Sequence, residues 1–198
     1  MNKRLLCIIM LGILLISFSA CGSAETVEKQ YIHAIWAEHY ESLQDLTESS
    51  DVISIIKVLD VKDTYYRTEA DIPFTEFEVE VITSLKGPDV GETYTVLQTG
   101  MESDNFIYEI DSDPLLTIGK EYMLFGYNNE LGSVTILGGP QGRFVHENER
   151  ISSLVYAEET AVSLTAETTD YSSENAFGLM IHDVAAEDIC REVLDYLK

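Results

Sequence analysis

Cys190 is the first residue whose type could do chemistry. A nucleophilic thiol needs a base and an electropositive niche. Cys190 instead has Asp188 and Glu192 as neighbours, which raise a thiol pKa, and it falls on the apolar stripe of a C-terminal helix. It reads as a small buried hydrophobe. The histidines are His33, His39, His146 and His182. None has the HxxxH or HExxH spacing of a zinc hydrolase, and His33 and His39 would not share a helix face. No GxSxG places a serine nucleophile.

Oxygen ligands are denser. Asp111-Ser112-Asp113, with Asp104 and Glu109 nearby, could donate to Ca²⁺, but the glycine and terminal glutamate of an EF-hand loop are missing. The stretch reads as a solvated acidic loop. It runs from Gly100 to Pro114 and also carries Phe106 and Tyr108, so Asp104, Phe106, Tyr108, Asp111 and Asp113 are the candidate recognition residues. Gly138-Gly139-Pro140-Gln141-Gly142-Arg143-Phe144 is glycine-rich but has no Lys-Ser/Thr after it, and Pro140 removes an amide donor. It reads as a tight connection between strands, with Arg143 serving a structural carboxylate. No catalytic residue, cofactor site or metal site is assigned.

The elements that must position these residues are organised around 51–99. From Thr75 to Leu85, Phe77, Val79, Val81 and Leu85 share one face, and Glu76, Glu78 and Glu80 the other. This is the period of a strand with one buried and one wet face. Before it, Val52 to Val61 is nearly continuous apolar, as in a strand covered on both sides; Asp63 to Asp71 reads as a polar loop or hairpin end, with Tyr65 and Tyr66 able to extend the strand. After the turn cluster at 86–91, Glu92 to Thr99 makes a third strand. Lys120 to Tyr127 is a fourth, with Tyr122 and Leu124 opposed to Met123 and Phe125, and Val134 to Leu137 a fifth. Arg143 to His146 and Ile151 to Tyr156 can pair further. Gly100 to Ile118 reads as a long loop with at most a short strand at 106–110.

Ser42 is placed to cap a helix to about Ser49, with Asp45 at its positive end and Leu43 and Leu46 inward. Asp183 is placed to cap a final helix, Val184 to Leu197, with Ile189, Cys190, Val193, Leu194 and Leu197 as its apolar stripe. Gly22 to Gln30 reads as a tether. Tyr31 to Tyr40, with Ile32, Ile35, Trp36 and His39, suits a helix, a short strand or an extended arm. Ala157 to Ala176 is rich in Thr, Ser and Glu and reads as irregular.

Charge narrows the partners. The formal net charge is −23, with 12 Lys and Arg against 35 Asp and Glu. That argues against nucleic acid, whose phosphates need cations, and against anionic lipid heads. Lys3 and Arg4 followed by the apolar run Leu5 to Ile16 predict a secretory signal over 1–20. The next residues, Ser17-Phe18-Ser19-Ala20-Cys21, resemble the lipobox of bacterial lipoproteins, with Phe18 where that family usually has Leu. The resemblance implies cleavage before Cys21 and a diacylglyceryl group on its sulfur. Each buried methylene of such chains adds about 0.8 kcal/mol, so two or more chains anchor stably. Only Cys190 would then remain as a thiol, leaving no intramolecular disulfide.

The order helix, Asp51-Val52-Ile53, Phe77 to Gly87, Gly91 to Val96, then Ile118 to Gly126 resembles the netrin-like module, which includes the inhibitory domain of tissue inhibitors of metalloproteinases. It is also similar to lipoproteins of Gram-positive bacteria with this layout and a GGPQGRF-like segment. The resemblance covers about Ser42 to Phe144. It implies a mainly β fold: an OB-like five- to six-stranded antiparallel barrel with N-terminal and C-terminal helices flanking it, recognition falling at the barrel mouth or loops. The organisation expected is a signal over 1–20, tether and arm over 21–41, barrel domain over 42–156, irregular segment over 157–182 and helix over 183–198. The inhibitors grip a protease zinc through a free N-terminal Cys held by disulfides. A lipidated Cys21 without a disulfide partner could not do so, and fold analogy does not carry the activity over.

The function expected is a membrane-anchored, extracytoplasmic, non-enzymatic binding module. Its partners are the bilayer, through Cys21, and an envelope or secreted protein. The alternatives are a protease inhibitor acting through the Gly100–Pro114 loop, an enzyme whose site assembles only in three dimensions, and an envelope spacer.

Overall fold

Alternation along 52–86 builds the centre of the molecule. In the computed structural model, β2 (Val52–Arg67) and β3 (Ile72–Lys86) form a long antiparallel ribbon, and the described residues are 28–32, 38–67, 72–103, 105–110, 113–154 and 181–198. The expected signal over 1–20, Cys21, the tether up to Val27, His33, Ile35, Trp36, Asp104, Asp111 and the segment 157–176 lie outside them. Among the described residues the chain is mainly β, with two helices.

The further elements are β1 (Glu28–Ile32), α1 (Leu43–Ser49), β4 (Thr93–Thr99), β5 (Met101–Glu102), β6 (Phe106–Ile110), β7 (Glu121–Asn128), β8 (Val134–Ile136), a 3-10 turn (Gly139–Gly142), β9 (Arg143–Glu147), β10 (Arg150–Ser153), β11 (Val184–Ala185) and α2 (Ala186–Tyr196). The main sheet runs β11-β10-β9-β7-β2-β3-β4-β8, and β8 also pairs with β7. The ladder leaving β7 through β2, β3, β4 and β8 therefore returns to β7. Neighbours in that circuit are antiparallel except β4 and β8, which are parallel. The expectation of purely antiparallel pairing is corrected here, for a reason of parity: a circuit of five strands cannot alternate direction at every step.

Two cores lie on opposite faces of this sheet. Ile56, Val58, Phe77, Val79, Val96, Tyr122, Leu124 and Ile136 pack together on the inner face. On the outer face Ile53, Ile55, Met123, Phe125 and Phe144 pack under Leu43 and Leu46 of α1 and Ile189 and Val193 of α2. Val52 to Ile56 are all buried, Ser54 included, because both faces are covered there; Lys57 is exposed, and beyond Val58 the cover ends, leaving Leu59 and Val61 exposed. Burying each such side chain stabilises the fold by roughly 1.5–3 kcal/mol.

Bulges decide where alternation breaks. The β2–β3 register slips between Ile53 and Ser54 and between Ile55 and Ile56, and each slip leaves one residue of β3 without a partner, Leu85 and then Ile82. An unpaired residue turns the strand by one position. Leu85, expected beside Phe77, Val79 and Val81, packs instead against the outer core. Two further slips fall on β2, after Val58 and after Val61. The polar stretch 63–67, read as a loop or hairpin end, is paired strand.

Local chemistry sets the ends. The Ser42 hydroxyl accepts from the Asp45 amide at 3.1 Å, and the helix runs to Ser49 as the sequence predicts. Asp183 does not cap α2: it holds Arg150, while β11 pairs with β10 and delays the helix to Ala186. The β9–β10 hairpin turns at Asn148 and Glu149, both with positive φ (51° and 62°), as a two-residue loop between twisted strands requires. In the glycine-rich connection, a Cβ on Gly142 would lie 2.2 Å from the Leu137 carbonyl oxygen. Gln141 clasps Tyr40 through both backbone groups, accepting from its amide at 3.1 Å and donating to its carbonyl at 3.0 Å.

Candidate functional site

The stretch 100–118 is more ordered than a loop. β5 and β6 pair antiparallel, and β6 pairs parallel with β1, Lys29 opposite Ile107 and Tyr31 opposite Glu109. The last residues of the expected tether are thus a strand. Side chains two apart on a strand share a face. One face of this small sheet carries Lys29, Tyr31, Glu102, Ile107 and Glu109, and all five line a groove of about 590 Å³. Val61 and Thr64 of β2 and Thr75 and Phe77 of β3 form the opposite side, and the segment 114–118 forms the wall. Phe77 and Leu116 belong to the inner core, so the floor of the groove is the end of that core.

The wall is irregular backbone, yet side chains hold it at several points. Gln98 donates to the Pro114 carbonyl at 2.9 Å and accepts from the Leu116 amide at 2.9 Å. The Leu115 amide points to the Glu109 carboxylate at 3.4 Å and the Thr117 amide to the Tyr122 hydroxyl at 3.3 Å. Behind the wall the Arg143 guanidinium, 1 % exposed, pairs with Asp113 at 2.7 Å and also donates to the Pro114 carbonyl. It lies over the Tyr122 ring, 5.6 Å from the centroid. Burial pushes the Asp113 carboxyl up, against the opposing pull of Arg143 and Gln98. Such anchoring fixes the position of the wall beside the groove.

The candidate residues separate accordingly. Phe106 and Tyr108 are half-buried in β6, which takes them out of a free loop. Asp113, read as part of a solvated acidic loop, is buried; the cause is Arg143, whose charge needs a close carboxylate in the core. That Arg143 serves a structural carboxylate agrees with the sequence reading. Among the described residues no group of three or more His, Cys, Asp or Glu is placed to hold a metal ion. Cys190 is a free, half-buried thiol on α2, pushed up by burial. His146 meets its cross-strand neighbour Glu121 at 2.8 Å.

Sequence reasoning passed over Lys29, Gln98 and the groove role of Glu109. Gln98 left a signal: it falls two residues after Val96, on a face that should be apolar, and it is 4 % exposed. Lys29 left none, because its partner strand lies far along the chain. Comparison with protein-family models and with curated proteins gives no match for this chain. No helix among the described residues is long and apolar enough to cross a membrane.

Proposed function

We propose that this chain is a lipid-anchored, extracytoplasmic, non-enzymatic binding module of OB-like barrel architecture, whose ligand sits in the groove beside β6. The observation that carries the reading is the groove itself, floored by the end of the inner core and walled by backbone pinned from several side chains. Pockets of roughly 300–1,000 Å³ are the size at which proteins take ligands. The circuit of strand pairings with its single parallel step supports the barrel, and the helices packed on the outer face support their flanking role. The anchor rests on Ser17–Cys21 alone.

Two experiments test the reading. In the first, Cys21→Ser should abolish lipid labelling and move the protein out of the membrane fraction; unchanged processing and fractionation would remove the anchor. In the second, the purified full-length chain and its Ile118→Asp variant are immobilised and exposed to envelope extract. Ile118 lines the groove and is 54 % exposed, so the variant should fold. A partner held by the wild type and lost from the variant is expected. Capture unaffected by the substitution, or turnover in an unbiased substrate screen, would overturn the proposal.

A further inference from the structure

We propose that the groove takes an extended segment of a protein partner, with a Lys or Arg side chain of that segment seated on Glu109 and apolar side chains to either side; this rests on the groove being the binding surface. Glu109 is the unusual group. Its side chain is 10 % exposed, yet its contacts among the described residues are long: Lys29 Nζ at 3.6 Å and the Leu115 amide at 3.4 Å. A buried carboxylate is ordinarily met by charge-assisted bonds of about 2.7–2.9 Å. Lys29 cannot close the gap cheaply, because its side chain is 50 % exposed and well hydrated. Among the described residues, then, the groove holds a carboxylate met only at these longer distances. An ammonium or guanidinium entering from the groove can meet it while Lys29 swings out on its flexible stem.

The surroundings favour a peptide over a free small amine. Ile107 flanks Glu109 on the same face of β6, Leu115 and Ile118 stand on the wall, and Val61 and Phe77 lie opposite. Tyr31, Val61 and Ile118, which are 50 %, 41 % and 54 % exposed, all line this one groove, an apolar rim wider than one ammonium would need. Among the described residues β1 pairs only with β6, and a strand edge of this kind is where an extended segment can add. The far half of β2 does not compete for that role. There the Val61 and Thr64 amides are taken by the carboxylates of Asp60 and Asp63, at 2.9 and 2.8 Å, and the strand is bulged. The cation fits the charge balance as well: Glu102 and Glu109 face one Lys in the lining, and a net charge of −23 steers basic partners inward.

The test is fluorescence anisotropy of the purified full-length chain with capped, labelled octapeptides: alternating Lys-Val, alternating Lys-Gly and alternating Glu-Val. The Lys-Val peptide should bind about tenfold or more tightly than either control, since only it supplies both the cation and the apolar contacts. Glu109→Gln, which keeps an acceptor for the Leu115 amide, should weaken that binding about tenfold, and Ile118→Ser should weaken it too. Lys29→Gln should strengthen it, because the competing internal cation is gone. Glu130→Gln removes the same charge in the exposed turn after β7 and should change nothing. Equal binding of the Lys-Gly peptide, or equal weakening by Glu130→Gln, would reduce the effect to bulk charge and overturn the proposal. Weakening by Lys29→Gln would make the Lys29–Glu109 pair merely structural and overturn it as well. If the Lys-Val peptide fails to bind while an envelope partner is still lost on Ile118→Asp, the cation assignment falls and the binding groove stands; if both fail, both readings fall.

Discussion

Arg143 and Asp113 show what one buried pair does for the surface above it. Arg143 is among the largest fully buried side chains, and its carboxylate partner directly precedes the segment 114–118 that walls the groove. Burial raises the Asp113 pKa above its ordinary 3.8. A raised pKa in the folded state means that the fold binds the proton more tightly than the unfolded chain does. Asp113 then contributes stability at pH below about 3.8, and that contribution is lost as the pH rises through the folded-state value. Asp113→Asn keeps an acceptor for Arg143 and cannot titrate. The difference in thermal midpoint between wild type and Asp113→Asn should therefore shift against the wild type as the pH rises through that window. A difference independent of pH would show that Asp113 does not titrate in this way. Arg143→Met leaves the carboxylate buried without its partner and should cost roughly 3–5 kcal/mol, read from urea unfolding.

At the scale of elements, the ribbon of β2 and β3 carries the stability and its bulges carry the shape. Val79 is fully buried between strands on the inner face. Val79→Asp should cost about 3–5 kcal/mol, an uncompensated buried charge, and unfold much of the population at room temperature. A soluble variant with an unaltered melting curve would contradict the inner face. The β9–β10 hairpin allows a change in the other direction. Glu149 sits at φ 62° with an exposed side chain, and its structural contact is through the backbone, the carbonyl accepting from Ala186 at 2.9 Å. The left-handed conformation costs a side-chain-bearing residue about 1–2 kcal/mol. Glu149→Gly should raise stability by about 1 kcal/mol, seen as a higher urea midpoint at unchanged m.

For the whole molecule, charge is the dominant long-range term. A net charge of −23 on 198 residues repels itself in the compact state. Raising the salt from about 10 to about 150 mM shortens the screening length from about 30 to about 8 Å, and the melting temperature should rise by several degrees. A midpoint insensitive to salt would mean that the surface carboxylates are already compensated locally. The same screening should weaken any basic partner, so stability and recognition are expected to move in opposite directions with ionic strength.

What the sequence determined alone is what depends on near neighbours. Ser42, Leu43, Asp45 and Leu46 define α1 within one turn, and Phe77, Val79 and Val81 define the inner face of β3 by alternation. The opposed pairs of β7, Tyr122 and Leu124 against Met123 and Phe125, fall on the two cores as their spacing requires. Tertiary structure decided what depends on distant partners. Residues 28–32 are charged and short, and they become a strand only because 106–110 offers a parallel edge. Leu85 leaves its expected face because a register slip with β2 skips it. Asp113 looks like a solvated loop carboxylate until Arg143, from a strand beyond β7, takes it into the core. The groove joins segments near residues 30, 61, 77, 109 and 116, and no local pattern records their meeting. Hydrogen bonding and burial within a strand or a helical turn are written in the period of the chain, whereas pairing across it is set by which edges and charges are left to be satisfied.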